Sequence, residues 1–181
     1  MHAQPLNTRN EALEFARRTR LNLEFIKRAK EQNPKAEVHV VTQLTLSLLG
    51  LVVFPKEKLF LNSARTMKIS DLSASGWPSW NITRDEQPKE WGKKCDNKPK
   101  PKHWPTQTLA DIIYHMRNAI AHGRITFTSS PDSPRLEEVG ILVEDKEKPS
   151  DPDVYWRAEI SGPDLEKFCL RFLDFIKDEL G

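Results

Sequence analysis

The chain has 181 residues, 38% apolar and 30% charged, with 28 basic and 26 acidic side chains and a formal net charge of +2; its mean hydropathy is −0.62. That size and balance suit one ordinary domain of roughly 100–200 residues. They exclude a fibrous repeat, since there are only seven Gly, and a highly charged disordered chain. Two cysteines, Cys95 and Cys169, make no disulfide scaffold and fit a reducing cytosol, so a cytoplasmic protein is expected. A net charge so near zero lacks the broad positive footprint of a general duplex-DNA binder.

Met1 to Asn10 carries no apolar stretch of the signal-peptide kind, which gives no reason to expect secretion. Glu11 to Gln32 reads as an amphipathic helix: Ala12, Phe15, Ala16, Thr19, Leu23 and Ile26 recur on one face, Asn10 stands at the start and Pro34 just past the end. Its other side carries Arg17, Arg18, Lys27 and Arg28, which suit a solvated face or an RNA-contact face. Glu37 to Phe54 reads as a second helix, apolar nearly all round and so destined for a core or an interface rather than a membrane span. His39, Gln43 and Ser47 make one narrow polar stripe on it, and Gly50 offers either close helix approach or the start of unwinding before Pro55.

Residues 56–105 differ in texture. They hold four of the five Trp (Trp77, Trp80, Trp91, Trp104), and Arg84 to Lys102 carries seven basic and four acidic residues. The expectation is a long Trp/Lys/Pro-rich insertion with little regular structure. Its tryptophans either anchor it on the helices or, interleaved with Lys, stack bases while the lysines hold phosphates. Thr106 to Ala121 reads as the third long helix, with Thr106 or Thr108 as cap, Asp111 near the first turn and Gly123 as the stop. Arg124–Ser129, Leu136–Asp145 and Val154–Ile160 are strand-like, separated by Pro131, Pro134, Pro149 and Pro152, and predict a hairpin or a three-stranded antiparallel sheet within 124–160. Ser161-Gly-Pro163-Asp164 opens a final helix to Leu180, where Cys169 falls on the apolar face as a packed thiol.

The chemistry concentrates in the third helix. Leu109, Ile113, Met116 and Ile120 form an apolar stripe; Asp111, His115, Asn118 and His122 form a polar one with the same spacing. The plain reading of that row is solvation with an Asp111–His115 ion pair. No strong metal-ligand spacing is present: His115 and His122 are seven apart, and Cys95 and His103 have no paired motif.

Arg117-Asn118-Ala-Ile-Ala-His122 resembles the R-x4-6-H motif of the HEPN superfamily, in the form with a polar residue directly after the Arg, and the Gly-Arg-Ile that follows looks like a plasmid-borne nuclease-type branch. The resemblance implies a mainly α fold: a HEPN-like bundle of four or five helices, here one domain over 1–181 with the long insertion and a small antiparallel β element before the last helix. It implies a metal-independent endoribonuclease without cofactor, in which the substrate's 2′-hydroxyl attacks the adjacent phosphate to leave a 2′,3′-cyclic phosphate. Arg117, His122 and Asn118 would be catalytic, with His115, Arg124 and Tyr114 as substrate-binding neighbours. Imidazole titrates near neutral pH, ~6.5 when unperturbed, and guanidinium is a rigid fork of donors for phosphorane oxygens.

Residues five apart on a continuous helix differ by about 140° in direction. Either the helix ends before His122 or a second copy completes the site; the family builds its site across a homodimer. RNA and a second copy are therefore the expected partners, with an antitoxin unidentified and no membrane. A toxin, an abortive-infection factor or a plasmid or phage-defence factor all suit the family context. The competing readings are an RNA- or nucleotide-binding HEPN module that does not cut, and a helical dimer for protein interaction with the Val38–Phe54 helix as its surface.

Overall fold

The computed structural model describes residues 8–33, 40–53, 61–86, 105–128, 136–146 and 153–181. Among them run helices α1 (Thr8–Gln32), α2 (Val40–Val53), α3 (Leu61–Thr66) and α4 (Ile69–Leu72), strand β1 (Asn81–Asp85), helix α5 (Leu109–Ala121), strands β2 (Ile125–Phe127), β3 (Gly140–Lys146) and β4 (Val154–Ser161), and helix α6 (Gly162–Leu180). The fold is mainly helical with one small antiparallel sheet. No helix among the described residues is long and apolar enough to cross a membrane.

The helices start and stop where local chemistry directs. Thr108 caps α5 with its hydroxyl oxygen accepting the Asp111 N–H, and the Asp111 carboxylate accepts the Thr108 N–H at 2.9 Å, a reciprocal box. Ser161 caps α6 in the same way through the Asp164 N–H, with Pro163 in the first turn. α1, α2 and α6 pack together, and α5 contacts α2, α3 and β3. Gly50 lies against the Phe15 ring so closely that a Cβ there would overlap it. Of the two roles open to this glycine, the structure shows close helix approach. Burial pushes the Cys169 thiol up to about 12, consistent with a packed rather than reactive sulfur.

The cationic side of α1 is internally paired. Arg17 and Arg18 both hold Glu14, at 2.8 and 2.7 Å, Lys27 reaches Glu166 at 3.0 Å, and Arg28 faces Glu24 at 3.7 Å. Hydrogen bonds from the two arginines hold the exposed Glu14 carboxyl down at about 2. All four cations are paired, Arg17 and Arg18 sharing Glu14, as suits a solvated face.

Three expectations change. The sheet has four strands, in the order β1-β4-β3-β2, and β1 comes from the stretch expected to be an irregular insertion. Residues 61–86 of that stretch instead form α3, α4 and β1. Leu136–Glu138, expected to open a strand, is a 3₁₀ turn; it brings the Leu136 and Val139 carbonyls against Gly162, where no Cβ would fit. Trp77 is buried and meets Phe168, Phe172 and Phe175 of α6 edge-on, at 5.3, 6.4 and 6.0 Å between ring centroids. Trp80 meets Phe168 at 5.4 Å. These two tryptophans anchor their segment on the last helix. His39, Trp91, Cys95, His103, Trp104 and the lysines from Lys89 to Lys102 lie outside the described residues.

Candidate functional site

α5 ends at Ala121, and His122 is its C-cap with φ −105° and ψ 10°. Of the two ways round the 140° separation, the structure therefore contains the helix end. Gly123 follows at φ 65°. The Arg124 N–H bonds to the Ala119 carbonyl at 2.8 Å and the Gly123 N–H to the Ile120 carbonyl at 3.1 Å. This is the paired closure of a Schellman motif, which needs a left-handed residue where Gly123 stands. The conformation holds the exposed His122 at a fixed exit point between α5 and β2. Replacing Gly123 by Ala is expected to destabilise the protein by about 1 kcal/mol, because an L side chain is strained at that φ although space is open around it. A Gly123→Ala protein that melts with the wild type would show the turn to be unimportant.

The polar row of α5 is not a surface row. Asp111 and His115 are buried, and only His122 is fully exposed; Arg117 and Asn118 are half-buried. Asp111 does not pair with His115. It closes the cap of its own helix, while His115 turns to a carboxylate 30 residues later, Asp145 on β3. The reason is that α5 buries more than its apolar stripe. Ala110, Ile112 and Ala119 are also covered, so the helix is embedded between its neighbours. Asp111 and His115 Nδ1 find partners inside, while His115 Nε2 is buried without a hydrogen-bond partner among the described residues.

Asp145 is 1% exposed and gathers donors from four segments. Its Oδ2 faces His115 Nδ1 at 3.0 Å and accepts from Asn118 Nδ2 at 3.1 Å and the Tyr155 hydroxyl at 2.7 Å. Its Oδ1 accepts the Lys146 N–H at 2.9 Å and lies 3.6 Å from Arg124 Nη1. A carboxylate only accepts, so the facing His115 nitrogen, Nδ1, carries the proton. The His115 ring stacks on Trp156 at 4.6 Å and 13° and meets Tyr155 and Tyr114 edge-on at 5.8 and 5.4 Å. Trp156 is itself pinned, its Nε1 donating to the Thr106 hydroxyl at 3.0 Å. Burial, reinforced by the neighbouring carboxylate, raises the Tyr155 phenol far above its usual range, so it stays a donor.

The structure thus brings His115, Asn118 and Arg124 onto one buried carboxylate, with the half-buried Tyr114 beside them, and leaves the His122 imidazole at the surface. His115 is buried, where it supports the helix rather than lining a surface that a substrate could reach directly. Two residues of this network carried no expectation from sequence, Asp145 and Tyr155. For Asp145 a signal exists: along β3, Ile141, Val143 and Asp145 share the buried face, so a carboxylate stands in phase with the apolar residues of an alternating strand. Tyr155 gives none. It is the extra residue of a bulge, since Asp145 pairs with Trp156 while Lys146 pairs with Val154, and the bulge re-aims its side chain.

No group of three or more His, Cys, Asp or Glu side chains among the described residues is disposed to hold a metal ion. A scan against protein-family profiles matches residues 4–180 to the family described as HEPN pEK499 p136. The chain belongs to this HEPN family. The match spans almost the whole sequence, so the residues of α3, α4 and β1 fall within the family's own length. Neither the curated proteins nor the solved structures give a match. HEPN membership puts the chain in a superfamily of nucleases and RNA-binding domains.

Proposed function

We propose that this HEPN protein is a metal-independent endoribonuclease whose working residues are Arg117 and His122. The observation that carries the reading is the position of the motif. His122 is exposed at the C-cap of α5, and the turn that presents it is closed by Gly123 and Arg124 and braced from beneath by Asp145. In the reaction an imidazole accepts the proton of the 2′-hydroxyl as that oxygen attacks phosphorus. The Arg117 guanidinium neutralises the non-bridging oxygens of the phosphorane, where charge develops. The P–O5′ bond breaks, the 5′-oxygen takes a proton, and the products are a 2′,3′-cyclic phosphate and a 5′-hydroxyl end. A second copy of the chain supplies the second imidazole, so that one histidine accepts and the other donates.

The purified protein is expected to cut end-labelled RNA in excess EDTA and to leave 3′ ends that cannot be extended until the cyclic phosphate is opened and the resulting phosphate removed, beside 5′-hydroxyl ends that a polynucleotide kinase labels directly. Activity that disappears on chelation and returns with a divalent cation would overturn this mechanism.

A further inference from the structure

We infer that Asp145 is a positioning residue for the α5 motif, an inference that rests on the endoribonuclease reading. The segment from Asn118 to Arg124 carries His122 and is tied to this carboxylate at both ends. Asn118 Nδ2 donates to Oδ2 at 3.1 Å and Arg124 Nη1 faces Oδ1 at 3.6 Å. His115, one turn before Asn118, makes a third attachment at 3.0 Å. The backbone adds a tie at the second end: the Arg124 carbonyl accepts the Glu144 N–H of β3 at 3.1 Å. The chain between the two anchors is therefore stitched to β3 by side chain and main chain alike, with His122 in the middle.

Stability alone does not call for a carboxylate here. A buried charge costs several kcal/mol to desolvate, and well-packed apolar replacements of such groups are often neutral or stabilising. What Asp145 supplies is direction. Its two oxygens fix two partners on either side of the exposed imidazole, and the Tyr155 bulge adds a donor that holds the carboxylate in place. Misplacing a reacting group by ~1 Å costs about 10²-fold in rate, so loosening this clamp acts on turnover rather than on RNA binding.

The test compares full-length wild type, Asp145→Asn, Tyr155→Phe and Asn118→Ala, each assayed well below its own melting temperature. Asp145→Asn is expected to lower kcat by about 10–100-fold with KM for a defined RNA oligonucleotide within about 3-fold. Combined with Asn118→Ala, it should add little to the larger single loss, because both act through one contact. Losses that multiply, or that appear in KM instead, overturn the inference. Tyr155→Phe keeps the ring and removes one donor, so it serves if Asp145→Asn does not fold, with a kcat loss of about 3–10-fold and the same non-multiplication. A readout independent of cleavage is amide hydrogen exchange. His122, Gly123 and Arg124 should exchange at least about 10-fold faster in either Asp145→Asn or Tyr155→Phe, while Ile112 and Ile113 hold their protection. Uniform change along α5, or none, overturns the positioning role. A wild-type protein that never cuts RNA removes the endoribonuclease reading, and the exchange pattern alone then decides the role of Asp145.

Discussion

His122→Ala is expected to lower RNA cleavage by about 10²–10⁴-fold, the range a general acid–base group contributes, with the melting temperature nearly unchanged. The second half follows from the geometry. His122 is exposed and its capping hydrogen bonds come from its backbone N–H, which alanine keeps. Arg117→Ala should give a comparable loss, because in the proposed reaction its guanidinium neutralises the phosphorane. The measurement is single-turnover cleavage of a labelled oligonucleotide alongside thermal unfolding. Near wild-type cutting by either variant would remove the site assignment. Subunits carrying His122→Ala mixed with subunits carrying Arg117→Ala extend the test: recovered activity would mean that one Arg117 and one His122 on different copies suffice, whereas a mixture as dead as its parents would mean that cleavage needs both imidazoles or an Arg117–His122 pair on one chain.

The largest expected effect on stability lies far from the motif. Trp77→Ala should cost about 3–5 kcal/mol, the range for removing a fully buried large aromatic. That corresponds to a fall of roughly 10 °C or more in Tm for a chain of this size. Trp77 is 1% exposed, sits edge-on to three phenylalanines of α6 and has the Arg171 guanidinium over its ring at 5.8 Å. Its indole Nε1 is buried without a hydrogen-bond partner, so Trp77→Phe, which deletes that N–H, should recover much of the loss. Denaturant melts of the two variants check this. A Trp77→Ala protein within about 2 °C of wild type would mean that the segment before β1 docks by other means.

How far sequence alone reached depends on what each segment has to bury. α1, α5 and α6 were legible because apolar periodicity and end signals agree: Thr108 with Asp111, Ser161 with Pro163, and Gly123 at the stop. β3 and β4 were legible because a buried face imposes alternation. β1 was not. Asn81-Ile-Thr-Arg-Asp85 has one apolar side chain, and it joins the sheet as an edge by pairing with β4, which leaves little mark on composition. α3 and α4, six and four residues long, are too short for a period to show. Within the site, the motif residues were visible as a row on one helix, but burial was not. Sequence reading put Asp111 and His115 together because they are four apart, whereas packing gave Asp111 to its own cap and His115 to a strand. Contacts made 30 positions away cannot be seen from helical spacing.

The order of segments along the chain sets when the motif can become rigid. α5 leaves the ribosome before β3 and β4, so Arg117 and His122 exist for a time without Asp145 and Tyr155, which lie 30 and 40 positions beyond His115. The helical core closes later still: Arg20 of α1 meets Asp174 of α6 across 154 positions, and such distant contacts form only after the intervening chain has been made and its loop entropy overcome. A nascent chain that has exposed the motif therefore lacks both the clamp and the core, and shape at His122 arrives with the final helix.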